Sequence, residues 1–160
     1  MPNPTPNPFI SVIIPVYNGL DLLDRAIKSV VNQTFSDWEL LVVDDCSTDS
    51  SFERLQWWER QDARIRVLKT PENGWLCAAR NYGLKHARGE FICYLDHDDE
   101  FYPDYLASIA QWHDKGDVLV FRYDLVDEKA LGRQPAVLLE GSRSSDFVKE
   151  ISAFGKSAFV

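Results

Sequence analysis

From Phe9 onward, short β-branched apolar runs alternate with stretches of helical periodicity, and that alternation leaves few folds open. Phe9 to Pro15 is almost wholly apolar, as a strand covered on both faces must be. Leu22, Leu23, Ala26, Ile27, Val30 and Val31 then recur at the spacing of one helix face, with Asp and Lys between them. The same periodicities predict strands at Trp38–Val43, Ile65–Leu68, Phe91–Leu95 and Val118–Tyr123. They predict helices from a Thr48 or Asp49 cap through Phe52, Leu55 and Trp58, over Trp75–His86 with an end near Gly89, and from Pro103 through Leu106, Ile109 and Ala110. Beyond Asp127 the pattern thins to a short strand at Ala136–Leu139 and a helix near Ser145–Ile151. Strands alternating with helices imply an α/β fold, a mainly parallel sheet flanked by helices.

The composition supplies a core for such a sheet. The 160 residues are 45% apolar and 26% charged, as in ordinary soluble domains, so disorder is excluded as the main state. The apolar runs are too short to span a membrane, and the N-terminus lacks the basic and apolar regions of a secretory signal. Pro2, Pro4, Pro6 and Pro8 make residues 1–8 an extended, flexible leader. Seventeen Lys and Arg against 25 Asp and Glu give a net charge of −8, which argues against nucleic acid as a partner. A nucleotide remains acceptable if a cation offsets its phosphates. The three cysteines, Cys46, Cys77 and Cys93, form no CxxC pair. They read as small buried residues in a reducing compartment rather than as a disulfide framework or zinc site.

In parallel sheets of this kind, ligands bind outside the carboxyl ends of the strands. Pro15-Val16-Tyr17-Asn18-Gly19 follows the first strand, Asp44-Asp45-Cys46-Ser47-Thr48-Asp49 the second, and Asp96-His97-Asp98-Asp99-Glu100 the fourth. In extended backbone, Asp96 and Asp98 point to one side. They repel each other unless a cation lies between them or one takes a proton. Oxygen-only donors suit Mg²⁺ or Mn²⁺, which would bridge an acidic protein to a diphosphate. The alternative is a solvated acidic loop before the helix at Pro103. Asp44 and Asp45 can accept hydrogen bonds from a base or ribose, or join the residues capping the next helix. Tyr17 can stack on a nucleobase or simply pack beside the turn residue Asn18. Arg80 can meet a phosphate or pair with an acidic loop. Gly155-Lys156-Ser157 lacks the upstream glycine of a phosphate-binding loop, and no GxGxxG follows the first strand.

In order and spacing, Ser11–Asn18, Asn32–Phe35, Leu41–Asp49, Asn73-Gly74, Ala79–Asn81, Gly83, Ala87–Ile92 and Leu95–Asp99 resemble the family 2 glycosyltransferases of the GT-A fold. The resemblance covers roughly Phe9 to Tyr123 and implies a Rossmann-like nucleotide-diphospho-sugar transferase fold. It implies metal-dependent, inverting transfer from a nucleotide-sugar, most commonly a UDP-sugar, to a hydroxyl of a glycan or lipid-linked acceptor in polysaccharide, glycolipid or cell-surface glycan synthesis. By the same resemblance Pro15, Tyr17, Asn18, Asp44, Asp45, Arg80, Asp96 and His97 form the donor site, with Asp45 on the base. Asp96 and Asp98 match the DxD motif, Asp98 foremost as the ligand of Mn²⁺ or Mg²⁺. The ion neutralises charge on the departing diphosphate, and a general base assists the acceptor.

The family's base is a carboxylate well downstream, and Glu140, Asp146 and Glu150 lie in no such motif, so the base is expected beyond Val160. Residues 9–125 are accordingly expected to be the donor-binding domain and 126–160 the start of an acceptor-side region. Such a chain should bind nucleotide and transfer sugar poorly by itself. Its expected location is cytoplasmic, peripheral to the inner membrane face if the acceptor is lipid-linked. The competing interpretation is a non-catalytic nucleotide-binding module that assembles as a homo-oligomer through an exposed apolar edge. A phosphoacceptor receiver domain fits poorly, because its Asp pair follows the first strand and here the pair follows the second.

Overall fold

The structure is a computed structural model that describes residues 7–115 and the backbone of two further strands, 124–127 and 132–135. The chain divides into two units, Met1–Ser108 and Ile109–Val160. In the first, β1 (Ile10–Val16), β2 (Trp38–Asp44), β3 (Ile65–Lys69) and β4 (Phe91–Tyr94) form one parallel sheet in the order β3-β2-β1-β4. Ile10 is level with both Trp38 and Phe91.

Every residue of β1 and β2 is buried, so both faces of the central strands are covered. On one face Ile13, Leu41 and Val43 pack with Ala79 of α3 (Trp75–His86). Gly83 brings the α3 backbone onto the sheet: a Cβ there would lie 2.7 Å from Ile13 Cγ2. Val12, Ile14, Leu40 and Val42 alternate to the opposite face. α2 (Ser51–Gln61) packs on β2 and β3. α1 (Leu23–Val31) buries Leu23, Ala26, Ile27 and Val30. Asp24 of α1 joins the two helices by accepting from Arg54 Nε at 2.8 Å and Trp58 Nε1 at 2.7 Å. The Arg54 hydrogen bond is the main reason the Asp24 carboxyl lies below its ordinary range.

One buried carboxylate, Glu39, lies near the start of β2, well away from the strand end that carries Asp44. Glu39 is 2% exposed and accepts from Ser11 Oγ at 2.8 Å, Arg88 N at 2.7 Å, Arg88 Nη2 at 2.7 Å and Arg66 Nη1 at 3.0 Å. Burial pushes its pKa upward, but the hydrogen bonds from Arg88, Ser11 and Arg66 together outweigh burial and hold it below the ordinary value. The turn before β4 is fastened to the same place, since Gly89 N donates to Ser11 Oγ at 2.8 Å.

The predicted elements of the first unit appear with small shifts. α2 begins at Ser51, and Asp49 Oδ1 accepts from its N–H at 2.9 Å, while Thr48 N turns to Asn18 Oδ1 instead. α3 stops at His86, before Gly89, with Ala87 extended. α4 (Tyr105–Trp112) starts two residues after Pro103. Of the three thiols, all free, only Cys93 is buried; Cys46 is half-buried and Cys77 exposed. The expectation of three buried cysteines fails at Cys46, which lies on the loop after β2, and at Cys77, because α3 turns Ala79 and Gly83, not Cys77, inward. In the second unit β5 (Asp124–Asp127) and β6 (Gly132–Pro135) pair antiparallel, a hairpin the periodicities missed. The segments expected at Val118–Tyr123, Ala136–Leu139 and Ser145–Ile151, and most of the Pro-rich leader, lie outside the described residues. Pro8, assigned to that leader, is buried. No helix among the described residues is long and apolar enough to cross a membrane.

Candidate donor site at the strand ends

β2 and β3 extend the sheet from one side of β1, and β4 pairs with its other side. The winding reverses between β1 and β4, and loops leaving such a switch point diverge and open a crevice. The loops after β1 and β4 still touch at one place. A Cβ on Gly19 would lie 2.5 Å from His97 Cδ2, so the absence of a side chain lets the imidazole sit against the backbone.

The loop after β1 is held by the loop after β2. Asn18 takes a left-handed φ of 50°. Its Oδ1 accepts from Thr48 N at 2.8 Å, Thr48 Oγ1 at 3.2 Å and Asp49 N at 3.3 Å, while its own N–H donates to Ser47 Oγ at 3.0 Å. Asn18 therefore shapes the loops through its carbonyl oxygen. Asp44 is fully buried and shapes a turn as well: both of its oxygens accept from Ser47 N at 3.3 Å, and Lys69 Nζ lies 3.6 Å away.

Asp45 differs from its neighbour. It is 3% exposed, and Oδ1 accepts from Thr70 Oγ1 at 2.7 Å while Gly74 N reaches both oxygens at 3.1 Å. Its main-chain carbonyl accepts from Asn73 Nδ2 at 3.1 Å. Asp45 lines an open cavity of about 570 Å³, within the range of small-ligand pockets. Pro15, Tyr17 and His97 line it too, whereas Asn18, Asp44, Arg80, Asp96 and Asp98 do not. The residues the sequence did not single out here are chiefly Cys46, Asn73, Trp75 and Leu76. Their one signal was the Asn73-Gly74 turn opening α3. Cys46 (φ 61°) and Trp75 (φ 65°) also hold left-handed conformations, so with Asn18 all three such non-glycine residues among the described ones cluster at this edge.

Beside the cavity lies the acidic loop after β4. Arg80 Nη2 donates to Asp96 Oδ1 at 2.6 Å, and Arg80 Nε is buried without a partner among the described residues. The Asp98 carbonyl accepts from Arg25 Nη2 at 2.8 Å, and Arg25 Nε pairs with Glu100 at 3.0 Å. The Asp98 carboxylate is exposed and has no hydrogen bond or ion pair among the described residues. Desolvation, then the nearby Asp98 and Asp96 carboxylates, raise the Asp99 pKa. Negative charge is thus concentrated here, and the donors are hard oxygens. Among the described residues no three His, Cys, Asp or Glu side chains form a closed metal cage. Such a set fits Mg²⁺ or Mn²⁺ shared with ligand phosphates and water, the usual way Mg²⁺ is held.

α1 fixes this loop from below. Ser29 Oγ accepts from Phe101 N at 3.0 Å. Gln33, 8% exposed, donates to Tyr102 O at 2.6 Å and accepts from Leu106 N at 2.9 Å. Arg25 and Ser29 lie one turn apart on α1, and Gln33, two residues past its end, continues the line by donating Nε2 to Ser29 O at 3.0 Å.

Known proteins share this architecture. S. aureus TarS 1-349 in complex with UDP-GlcNAc superposes with a TM-score of 0.62 at 32% identity, covering 66% of this chain and 31% of that one. The mannosyltransferase PcManGT from Pyrobaculum calidifontis, in complex with GDP-Man and Mn²⁺, gives 0.61 at 28% identity over 70% of this chain and 34% of that one. WcaA of Escherichia coli, which carries the name of a colanic acid biosynthesis glycosyl transferase, is 39% identical over 136 residues, 82% of this chain. The chain spans 48% of WcaA's length, so these relatives are longer proteins. The model of "Glycosyl transferase family 2" matches residues 11–155. With its parallel sheet in the GT-A arrangement, the chain belongs to glycosyl transferase family 2.

Proposed function

We propose that the chain is the donor-binding part of a glycosyltransferase that moves a sugar from a nucleoside-diphosphate sugar to a hydroxyl of a glycan acceptor. The observation that carries this is one cavity lined by Tyr17, Asp45 and His97, with the Asp98 carboxylate, unpartnered among the described residues, next in sequence to His97. Tyr17 and Asp45 hold the nucleoside, Asp45 accepting from the base. Pro15 forms part of the wall, while Asn18 and Asp44 set the shape of the loops. Asp96, oriented by Arg80, meets the ribose. Asp98, with Asp96 beside it, holds Mn²⁺ or Mg²⁺. When bound, the ion supplies Lewis-acid charge to the departing diphosphate. UDP is the proposed nucleotide, supported by the UDP-GlcNAc in TarS; the Mn²⁺ in PcManGT supports the cation. Inversion at the anomeric carbon belongs to the same proposal. Free thiols support a reducing, cytoplasmic setting.

Calorimetric titration of UDP, with and without Mn²⁺, tests this. Binding should require the ion and disappear in Asp98→Ala. If UDP, GDP and TDP all fail to bind the parent chain in Mn²⁺, or if Asp98→Ala binds as the parent does, the donor-site assignment is overturned.

A further inference from the structure

Trp75 is the most exposed large apolar side chain among the described residues, at 82%. It also sits at φ 65°, a conformation that bulky residues rarely adopt. The backbone before it cannot relax. Gly74 N is held by both Asp45 oxygens, Asn73 Nδ2 holds the Asp45 carbonyl, and a Cβ on Gly74 would lie 2.5 Å from Ala78 Cβ. An indole that is strained and left in water gains the folded chain little, so its benefit is sought in a complex.

Trp75 lines the cavity together with Tyr17, itself 47% exposed, and with Asp45. It follows immediately the residue whose N–H binds Asp45. A ligand that reaches the Asp45 carboxylate is therefore brought to the indole. That ligand carries no negative charge at this point, because Asp45 would repel it. It offers an N–H, because the carboxylate has about four acceptor positions and, among the described residues, only Thr70 Oγ1 and Gly74 N donate to it. A flat, neutral ring with an N–H on its edge meets both demands. Resting on the donor site proposed above, we infer that Trp75 is the stacking surface for the donor's nucleobase, the base placing its edge on Asp45 and its face on the indole.

The test uses the whole chain with Mn²⁺, UDP and UDP-GlcNAc, and the variants Trp75→Gly and Trp75→Phe. Glycine adopts φ 65° freely, so Trp75→Gly should melt no lower than the parent while its UDP dissociation constant rises about tenfold. Trp75→Phe keeps a ring and should bind UDP within about threefold of the parent. UDP should quench tryptophan fluorescence in the parent, and the quench should vanish in Trp75→Phe although binding persists. Unchanged UDP binding by Trp75→Gly overturns the stacking role and leaves the donor site standing. A loss seen with UDP-GlcNAc but not with UDP places the indole against the transferred sugar and overturns the nucleobase assignment. Absence of UDP binding by the parent overturns the donor site and this role together.

Discussion

Glu39 shows how far single residues outrun local sequence. An acid placed before the apolar run Leu40–Val43 has no visible purpose, because its partners Arg66 and Arg88 lie 27 and 49 positions away. Asp45 and Asp98, by contrast, stood out because they follow strands directly, where a parallel sheet binds its ligands. What separates Asp44 from Asp45 was not legible, since it depends on which carboxylate meets Ser47 and which meets Thr70. Glu39→Gln removes the charge facing two arginines that remain partly solvated, so the loss should be about 2 kcal/mol, below the value for a fully buried pair. The pH dependence has a definite sign. The Glu39 pKa is depressed by folding, so its charge stabilises the fold above its ordinary value of 4.5, and that stabilisation fades as pH falls through the folded value. Urea denaturation at several pH values should show the gap between parent and Glu39→Gln narrowing below about pH 4.5.

At the scale of elements, the sequence was most readable where periodicity was strong. α3 occupies Trp75–His86 as expected, and β1 to β4 lie within a residue or so of their predicted bounds. The β5–β6 hairpin was missed because Asp124–Pro135 mixes charge, glycine and proline without clean alternation. The line of Arg25, Ser29 and Gln33 was equally hidden, since its targets are backbone atoms of the loop after β4. Gln33→Ala leaves Leu106 N and Tyr102 O without these partners and should destabilise the chain by about 1–2 kcal/mol. If this line positions the acidic loop, Mn²⁺-dependent UDP binding should weaken even at temperatures where the variant is fully folded. Calorimetry beside a circular-dichroism melt separates the two effects; unchanged affinity would confine Gln33 to stability.

For the molecule as a whole, strand–helix alternation sufficed to foresee a parallel sheet, and the ordered motifs sufficed to foresee the family. Strand order was beyond that pattern. Nothing local says that β4 joins β1 rather than extending β3, yet that choice places the loop of Asp96 and Asp98 beside the loop of Tyr17. It also has a consequence for biosynthesis. β1 leaves the ribosome before any of its partners, and β2 covers only one of its edges. The other edge waits for Phe91, since Ile10 and Phe91 are level across the sheet. A nascent chain that has released β1 to β3 carries an apolar central strand with an open ladder, the arrangement most prone to pair with a second copy. Chains truncated before Phe91 should therefore form concentration-dependent aggregates by light scattering, and chains extending past Ser108 should not. Within this sheet, the strand synthesised first is enclosed only by the strand synthesised last, and quality control of this protein should turn on the interval between those events.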